Sequence, residues 1–255
     1  MKIIRAFAVA FSMYSRIPMP QFPWKDEDQE YMLCFFPWVG GVIGGLLFLW
    51  EWFCREKGLS LLCEVLAGAA IPLLVTGGFH ADGFLDTVDA FHSFRPWEKK
   101  LEILKDPHVG AFALIRFGLY GLLYLAFLSE VQERSALAVV CCGFFLARCL
   151  SGISVVSFPQ ARKDGMLSHA AMMAKKKTVR LVLGLQGAFC VALMLWISVP
   201  FGVAGTLAAL LSFGYYYWRS RKELSGITGD TAGYFILVCE ESILAAAAIL
   251  DILLR

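Results

Sequence analysis

The sequence predicts an all-α protein, a polytopic bundle of transmembrane helices that forms one domain over residues 1–255. Of the 255 residues, 58% are hydrophobic and 17% are charged, whereas a soluble domain is about 45–50% apolar and about 25% charged. The apolar residues also fall in runs that approach the roughly 20 residues needed to cross a hydrocarbon layer. The net charge of +2 gives no strong field for a polyanion, so no nucleic-acid partner is expected.

Seven apolar runs are predicted to span the membrane, after an interfacial or half-inserted helix over residues 1–14. Six or eight spans are the alternatives, because Pro200 marks either a tight turn between two spans or a kink in one. The predicted spans are residues 33–54, 61–79, 109–128, 136–158, 181–199, 201–218 and 235–254.

The positions of Lys and Arg predict a cytoplasmic N-terminus. With that orientation, 17 basic residues lie in inside segments and 4 in outside segments, which is the bias of the positive-inside rule. Residues 77–108, 159–180 and 219–234, which hold most of the clustered carboxylates, Gly and His, then share the inside. The sequence therefore predicts a functional site that faces the cytoplasm.

Three aspartates define the first candidate site. Asp82, Asp86 and Asp89 are spaced i, i+4 and i+7, so they share one face of a helix. Three like charges repel one another, and near a membrane they need a compensating cation. Mg²⁺ is the natural candidate, since it prefers oxygen ligands and bridges carboxylates to phosphates. The three aspartates are predicted as Mg²⁺ ligands and catalytic residues; the alternative is a solvated helix face.

Histidine and arginine extend this candidate site. His80 is either a general base or a structural residue. Arg148 lies deep in a predicted span, where an Arg marks a buried ion pair or an anionic ligand such as a diphosphate. Arg116 lies nearer the end of its span. It either binds such a partner or extends its charged group to the membrane interface.

Two polar segments complete the candidates. Lys105 and Asp106 precede Pro107, in a turn that either aims them at the same site or simply leads into a helix. Asp230 lies in a Gly-rich turn, where it either caps the last helix or supplies another ligand.

Several short motifs in register resemble one known family. They are SRIPMP at 15–20, FPWVG at 36–40, GGFHADGFLDTVD at 77–89, LEILKD at 101–106, Ala147-Arg148, Ala161-Arg162 with Gly165, and TGDTAG at 228–233. Together they resemble cobalamin synthase, the adenosylcobinamide-GDP ribazoletransferase family of bacterial and archaeal cobamide biosynthesis, almost from end to end.

The resemblance implies a Mg²⁺-dependent transferase of the bacterial cytoplasmic (inner) membrane. It would condense α-ribazole, or α-ribazole 5′-phosphate, with adenosylcobinamide-GDP, giving adenosylcobalamin, or its 5′-phosphate, and GMP. A ribose hydroxyl would attack the phosphorus next to the cobinamide, with one aspartate or His80 accepting its proton. Arg162 becomes a substrate-binding candidate by this resemblance. Membrane lipid is a further expected partner, and the resemblance allows an association with other enzymes of cobamide assembly.

The sequence departs from the family pattern at three positions. Some relatives have Glu where this chain has Ala81, Arg is frequent at the position of His108, and an acid is common at Leu237, which leaves Glu240 as the carboxylate of that span.

Two other functions share parts of this pattern. A membrane CDP-alcohol phosphotransferase also uses clustered aspartates, but Asp86 occupies the Ala position of its D-G-x-x-A-R motif. A multipass transporter also has intramembrane charges, but it typically shows an internal repeat, and this sequence shows no convincing one.

Overall fold

The computed structural model describes residues 2–255, which fold into twelve α-helices and one short 3₁₀ turn with no β-strand. The predicted all-α class is therefore confirmed. The helices are α1 (Lys2–Tyr14), α2 (Asp26–Gln29), α3 (Phe36–Lys57), α4 (Leu61–Thr76), α5 (Phe79–His92), α6 (Trp97–Ile103), α7 (Ala111–Glu130), α8 (Arg134–Ser157), α9 (Met166–Met173), α10 (Lys176–Ile197), α11 (Val199–Leu224) and α12 (Gly229–Leu254).

Five of these helices, α3, α7, α8, α10 and α11, are long and apolar enough to cross a membrane, and α4 with α5 brings the count to six if the bent pair is one span. A helical membrane protein with six spans lies within the predicted range of six to eight. The predicted seventh span corresponds to α12, which has 26 residues but carries four carboxylates and is not among the five.

The predicted span over residues 61–79 is wrong at its C-terminal end. Helix α4 stops at Thr76, and Gly77 and Gly78 follow with φ of 64° and 80°. Glycine takes this left-handed backbone without steric cost, so two in a row break the helix. Helix α5 then leaves at 91° to α4. With 16 residues, α4 is roughly 24 Å long, short of the roughly 30 Å hydrocarbon layer.

Small residues let the long helices approach closely. A Cβ added at Gly40 or Gly44 of α3 would overlap the backbone carbonyl oxygens of Phe144 and Cys141 in α8, so the two backbones touch there. The same applies to α10 and α11, where a Cβ at Gly202 would overlap the end of α10. Because these two helices pack together across Ser198, Pro200 marks a tight turn and not a kink.

Helices α8 and α12 pack against each other and share the centre of the bundle. Helix α12 also packs against α5, α7 and α11. Its N-terminal turn crosses α5 at Gly83, where an added Cβ would meet the backbone of Asp230, and again at Gly233 beside the backbone of His80. These glycines bring the aspartate-bearing helix and the Gly-rich turn of residues 228–233 into backbone contact.

Polar interactions hold the two ends of the bundle. At one end, Arg55 donates to the carbonyl oxygens of Val131 and Gln132 at 2.8 and 2.7 Å, and Asp251 accepts from the amides of Gln132 and Glu133 at 2.7 and 2.9 Å. At the opposite end, ion pairs join the three segments that are predicted to share one side, residues 77–108, 159–180 and 219–234.

Candidate active site

A cavity of about 160 Å³ opens between α5, α9 and the start of α12. Its polar lining includes His80, Asp82, Arg162, Asp164 and Asp230. Four of these are residues that the sequence predicts as site residues, from three separate segments of the chain. The cavity is therefore the candidate active site.

Two loops are joined beneath this cavity by a pair of backbone hydrogen bonds. The amide of Ala161 donates to the carbonyl oxygen of Ile227, and the amide of Ile227 donates to that of Pro159, both at 2.9 Å. This short parallel bridge fixes the loop after α8 beside the turn before α12. As a result, Arg162 Nη2 lies 3.5 Å from Asp230 Oδ2.

Thr228, and not Asp230, caps α12. The Thr228 hydroxyl accepts from the amide of Thr231 at 3.2 Å, and the Thr231 hydroxyl accepts from the amide of Thr228 at 2.9 Å. This reciprocal pair satisfies the first amides of the helix. Of the two roles that the sequence leaves open for Asp230, the cap is therefore excluded, and its carboxylate is directed to the cavity and Arg162.

The three aspartates of α5 have different surroundings. Asp82 is exposed and lines the cavity, while Asp86 is half-buried. Asp89 accepts hydrogen bonds from the amides of Gly110 and Ala113, the latter at 3.2 Å. Gly110 directly precedes α7 and Ala113 lies in its first turn, where a carboxylate satisfies unpaired donors and interacts favourably with the positive end of the helix dipole. Asp89 thus anchors α7 to α5.

A hard divalent cation fits the chemistry of Asp82 and Asp86. The neighbouring carboxylates of Asp82, Asp230 and Asp89 act electrostatically on Asp86, and carboxylate oxygens are the ligands that Mg²⁺ prefers. Within residues 2–255, however, no three His, Cys, Asp or Glu side chains are already arranged to hold a metal ion. The Mg²⁺ site over Asp82, Asp86 and Asp89 stays a prediction.

Arg162 lines the cavity and has a buried nitrogen without a partner in the described part of the chain. Its Nη2 pairs with Asp230, but its Nη1 is buried with no hydrogen-bond partner among residues 2–255. A buried guanidinium nitrogen without a partner costs free energy unless a ligand supplies an acceptor. The geometry therefore favours an anionic ligand oxygen next to Arg162.

Arg148 is held in a buried ion pair. Its Nη1 donates to Glu240 Oε1 at 2.6 Å and to the carbonyl oxygen of Phe144 at 2.9 Å. Arg148 is 1% exposed and Glu240 6%. Of the two roles open for an intramembrane Arg, the structure favours pairing, and Arg148 lies outside the lining of the active-site cavity.

His80 lies between that ion pair and the cavity. It is 4% exposed, and neither ring nitrogen has a hydrogen-bond partner within residues 2–255. His80 lines the active-site cavity and also a second, mainly apolar cavity, which Arg148 and Glu240 line as well.

The remaining predicted site residues, Lys105, Asp106 and Arg116, do not line the active-site cavity. Lys105 donates to Asp164 at 2.8 Å, and this contact lowers the pKa of the Asp164 carboxyl. Asp106 is exposed and accepts from the backbone amide of His108 at 3.0 Å, which lowers the pKa of Asp106. Arg116 is exposed on α7 and lines neither cavity.

Arg16 also lies at this end of the bundle, and its residue type and spacing do not mark it as a site residue in the sequence. Its side chain packs over Gly77, and it lines an open polar pocket together with Asp82. The only sequence signal was its place in the SRIPMP motif. Its backbone amide donates to the carbonyl oxygen of Val75 at 2.7 Å, which ties the segment after α1 to the end of α4.

Fold and site together define a polytopic helical membrane protein with a carboxylate- and arginine-lined cavity at one end of its bundle. The profile of one family, cobalamin-5-phosphate synthase, matches residues 6–248. The chain belongs to that family.

Curated relatives carry one name, adenosylcobinamide-GDP ribazoletransferase. The protein of that name from Lachnoclostridium phytofermentans is 40% identical over 243 residues, 94% of this chain and 92% of the relative. Those of Desulfitobacterium hafniense and Chlorobaculum tepidum are each 32% identical, covering 94% and 97% of this chain and 95% of each relative. No solved structure matches the chain.

Proposed function

We propose that this protein joins a ribazole, α-ribazole or its 5′-phosphate, to adenosylcobinamide-GDP and releases GMP. Family membership supports the reaction class. The observation that carries the proposal is the cavity that brings Asp82, Asp230 and the unpartnered Nη1 of Arg162 together. Such a site offers a donor for a phosphate oxygen beside carboxylates that accept a proton or hold a cation.

The chain's own residues have distinct tasks in this reaction. Arg162 binds a non-bridging oxygen of the diphosphate and orients the phosphorus for attack. Asp82, exposed on the cavity wall, is placed to accept the proton of the attacking ribose hydroxyl. Asp230 holds Arg162 in place through their 3.5 Å contact.

Mg²⁺ is part of the proposal. Asp82 and Asp86 would hold it, with Asp89 and Asp230 as neighbouring carboxylates. When bound, it neutralises negative charge on the diphosphate oxygens as the bond to GMP breaks.

The proposed location is the bacterial cytoplasmic membrane with the N-terminus and the active site on the cytoplasmic side. The charge distribution supports this orientation, because Lys105, Arg162 and Arg219, which packs over Phe91 of α5, all lie at the end of the bundle that holds the cavity. Cysteine labelling of residue 95 from the cytoplasmic side alone is the expected result; labelling from outside alone would refute the orientation.

GMP release tests the function. The full-length protein, purified in detergent and returned to lipid, is incubated with adenosylcobinamide-GDP, α-ribazole and Mg²⁺, and GMP and cobamide are quantified by chromatography. Equal amounts of both products are expected, with no GMP when α-ribazole is omitted. Absence of GMP above that control would overturn the proposal, and release of CMP from a CDP-alcohol would assign the alternative phosphotransfer reaction.

A further inference from the structure

The second cavity lies between α4, α7 and α12 and is not explained by the transfer chemistry. Its volume is about 290 Å³. Most of its lining is apolar, with three aromatic side chains from α7, Phe117, Tyr120 and Tyr124. A cavity of this size lined by aromatic rings suits a flat, weakly polar ligand.

Its few polar groups lack partners. His80 Nδ1 and Nε2, Tyr124 Oη and Arg148 Nε are all buried with no hydrogen-bond partner within residues 2–255. All three residues line this cavity and are at least nine-tenths buried. Buried polar atoms are nearly always satisfied, so several unsatisfied ones around one cavity indicate a ligand with polar atoms of its own.

The cavity adjoins the active site on two sides. His80 lines both the active-site cavity and the second cavity. Thr76, Ala81 and Phe117 line the second cavity and the open pocket that contains Asp82 and Arg16. One ligand can therefore reach from the second cavity to Asp82.

We propose that the second cavity binds the aromatic base of the ribazole substrate while its ribose lies at Asp82. This inference rests on the proposed transferase function. A benzimidazole-type base is flat and largely apolar and has a ring nitrogen, so it stacks on the α7 aromatic rings and accepts a hydrogen bond from a ring N–H of His80 or from Arg148. The ribose hydroxyl then lies beside the carboxylate that accepts its proton.

A lipid acyl chain is the competing occupant, since parts of α4 and α7 are exposed. An acyl chain has no polar atoms and would leave the nitrogens of His80, the hydroxyl of Tyr124 and Arg148 Nε unsatisfied, at a cost for each. The observed set of unpartnered polar atoms therefore favours the base.

Two glycines of α7 give a matched test. Gly121 lines the cavity and Gly118 does not, and a Cβ added at either meets no atom within 4 Å. Gly121→Phe places a ring in the cavity, whereas Gly118→Phe places one on the exposed surface of the same helix. Loss of stacking should raise the KM for α-ribazole about ten- to a hundredfold in Gly121→Phe. The KM for adenosylcobinamide-GDP should stay at the wild-type value, and Gly118→Phe should change neither.

Unchanged KM values in Gly121→Phe, or an equal rise for both substrates, would overturn the assignment. So would a co-purified phospholipid, detected by native mass spectrometry, that Gly121→Phe removes without changing the KM for α-ribazole.

Equilibrium dialysis of α-ribazole alone separates this inference from the proposed function. If the wild-type protein releases no GMP, the function fails, yet weaker α-ribazole binding by Gly121→Phe than by Gly118→Phe would still support the cavity. Equal binding by both variants would overturn it.

Discussion

The buried pair of Arg148 and Glu240 should be the most sensitive electrostatic contact of the bundle. Glu240→Gln removes the negative charge and keeps the shape, so the Arg148 charge is left buried and unpaired. Both residues are almost fully buried, with a 2.6 Å contact, so solvent screening does not reduce the effect. Breaking such a pair typically costs about 3–5 kcal/mol.

Thermal unfolding provides the assay. For a chain of this size, about 1 kcal/mol shifts the Tm by about 2–4 °C, so Glu240→Gln should lower it by about 6–20 °C. Arg148→Met should be similarly destabilising, because it leaves the Glu240 carboxylate unpaired. The Arg148→Met, Glu240→Leu double variant removes both charges and should recover most of the loss.

Tryptophan fluorescence of the detergent-purified protein reports these transitions. Single variants whose Tm lies within 2 °C of wild type, or a double variant whose loss equals the sum of the two single losses, would refute the coupling. If a single variant cannot be purified, recovery of yield in the double variant is the expected result, and its failure would count against the pair.

Three other outcomes follow from the site and the packing. Asp82→Asn and Asp86→Asn should each abolish most GMP release, with an unchanged or slightly higher Tm. The control Asp26→Asn, at an exposed position, should leave the rate unchanged. Full activity in an Asp82 or Asp86 variant would remove that residue from the site. Excess EDTA should stop turnover and added Mg²⁺ restore it, and activity that persists in EDTA would defeat the metal proposal. Gly44→Val should prevent folding of the bundle, because its Cβ would overlap the Cys141 carbonyl oxygen. Gly45→Ala, whose Cβ has no atom within 4 Å, should fold normally. The yield after size-exclusion chromatography is the measurement, and equal yields would contradict the close α3–α8 packing.

Local features of the fold could be predicted from the sequence. Long apolar runs predict most of the helices, because a helix surrounded by lipid needs apolar residues at nearly every position. The spacing of Asp82 and Asp86 placed both on one helix face, since helical periodicity is a local property. Hydropathy does not predict where α4 ends. The sequence stays apolar through Gly77 and Gly78, but the helical backbone breaks there.

Features that depend on distant segments could not be predicted. The partner of Arg148 is 92 residues away in sequence, and no local spacing indicates it. Asp89 was grouped with its helix neighbours, yet its carboxylate satisfies amides at the start of α7. In both cases the partner of the charged side chain lies on or next to a different helix, so local spacing does not predict the contact.

The central position of α12 has a consequence for biogenesis. This helix follows all the others along the chain, so the ribosome delivers it after its four packing partners. Before α12 inserts, Arg148 has no carboxylate partner in the membrane. The face of α5 around Gly83, which α12 covers in the folded protein, is also exposed. The carboxylates of α12 make it costly to insert alone, so its integration should depend on the earlier helices receiving it. A chain in which α12 has not yet packed has an open centre and an unpaired Arg148, and these are features that membrane quality-control proteases would recognise.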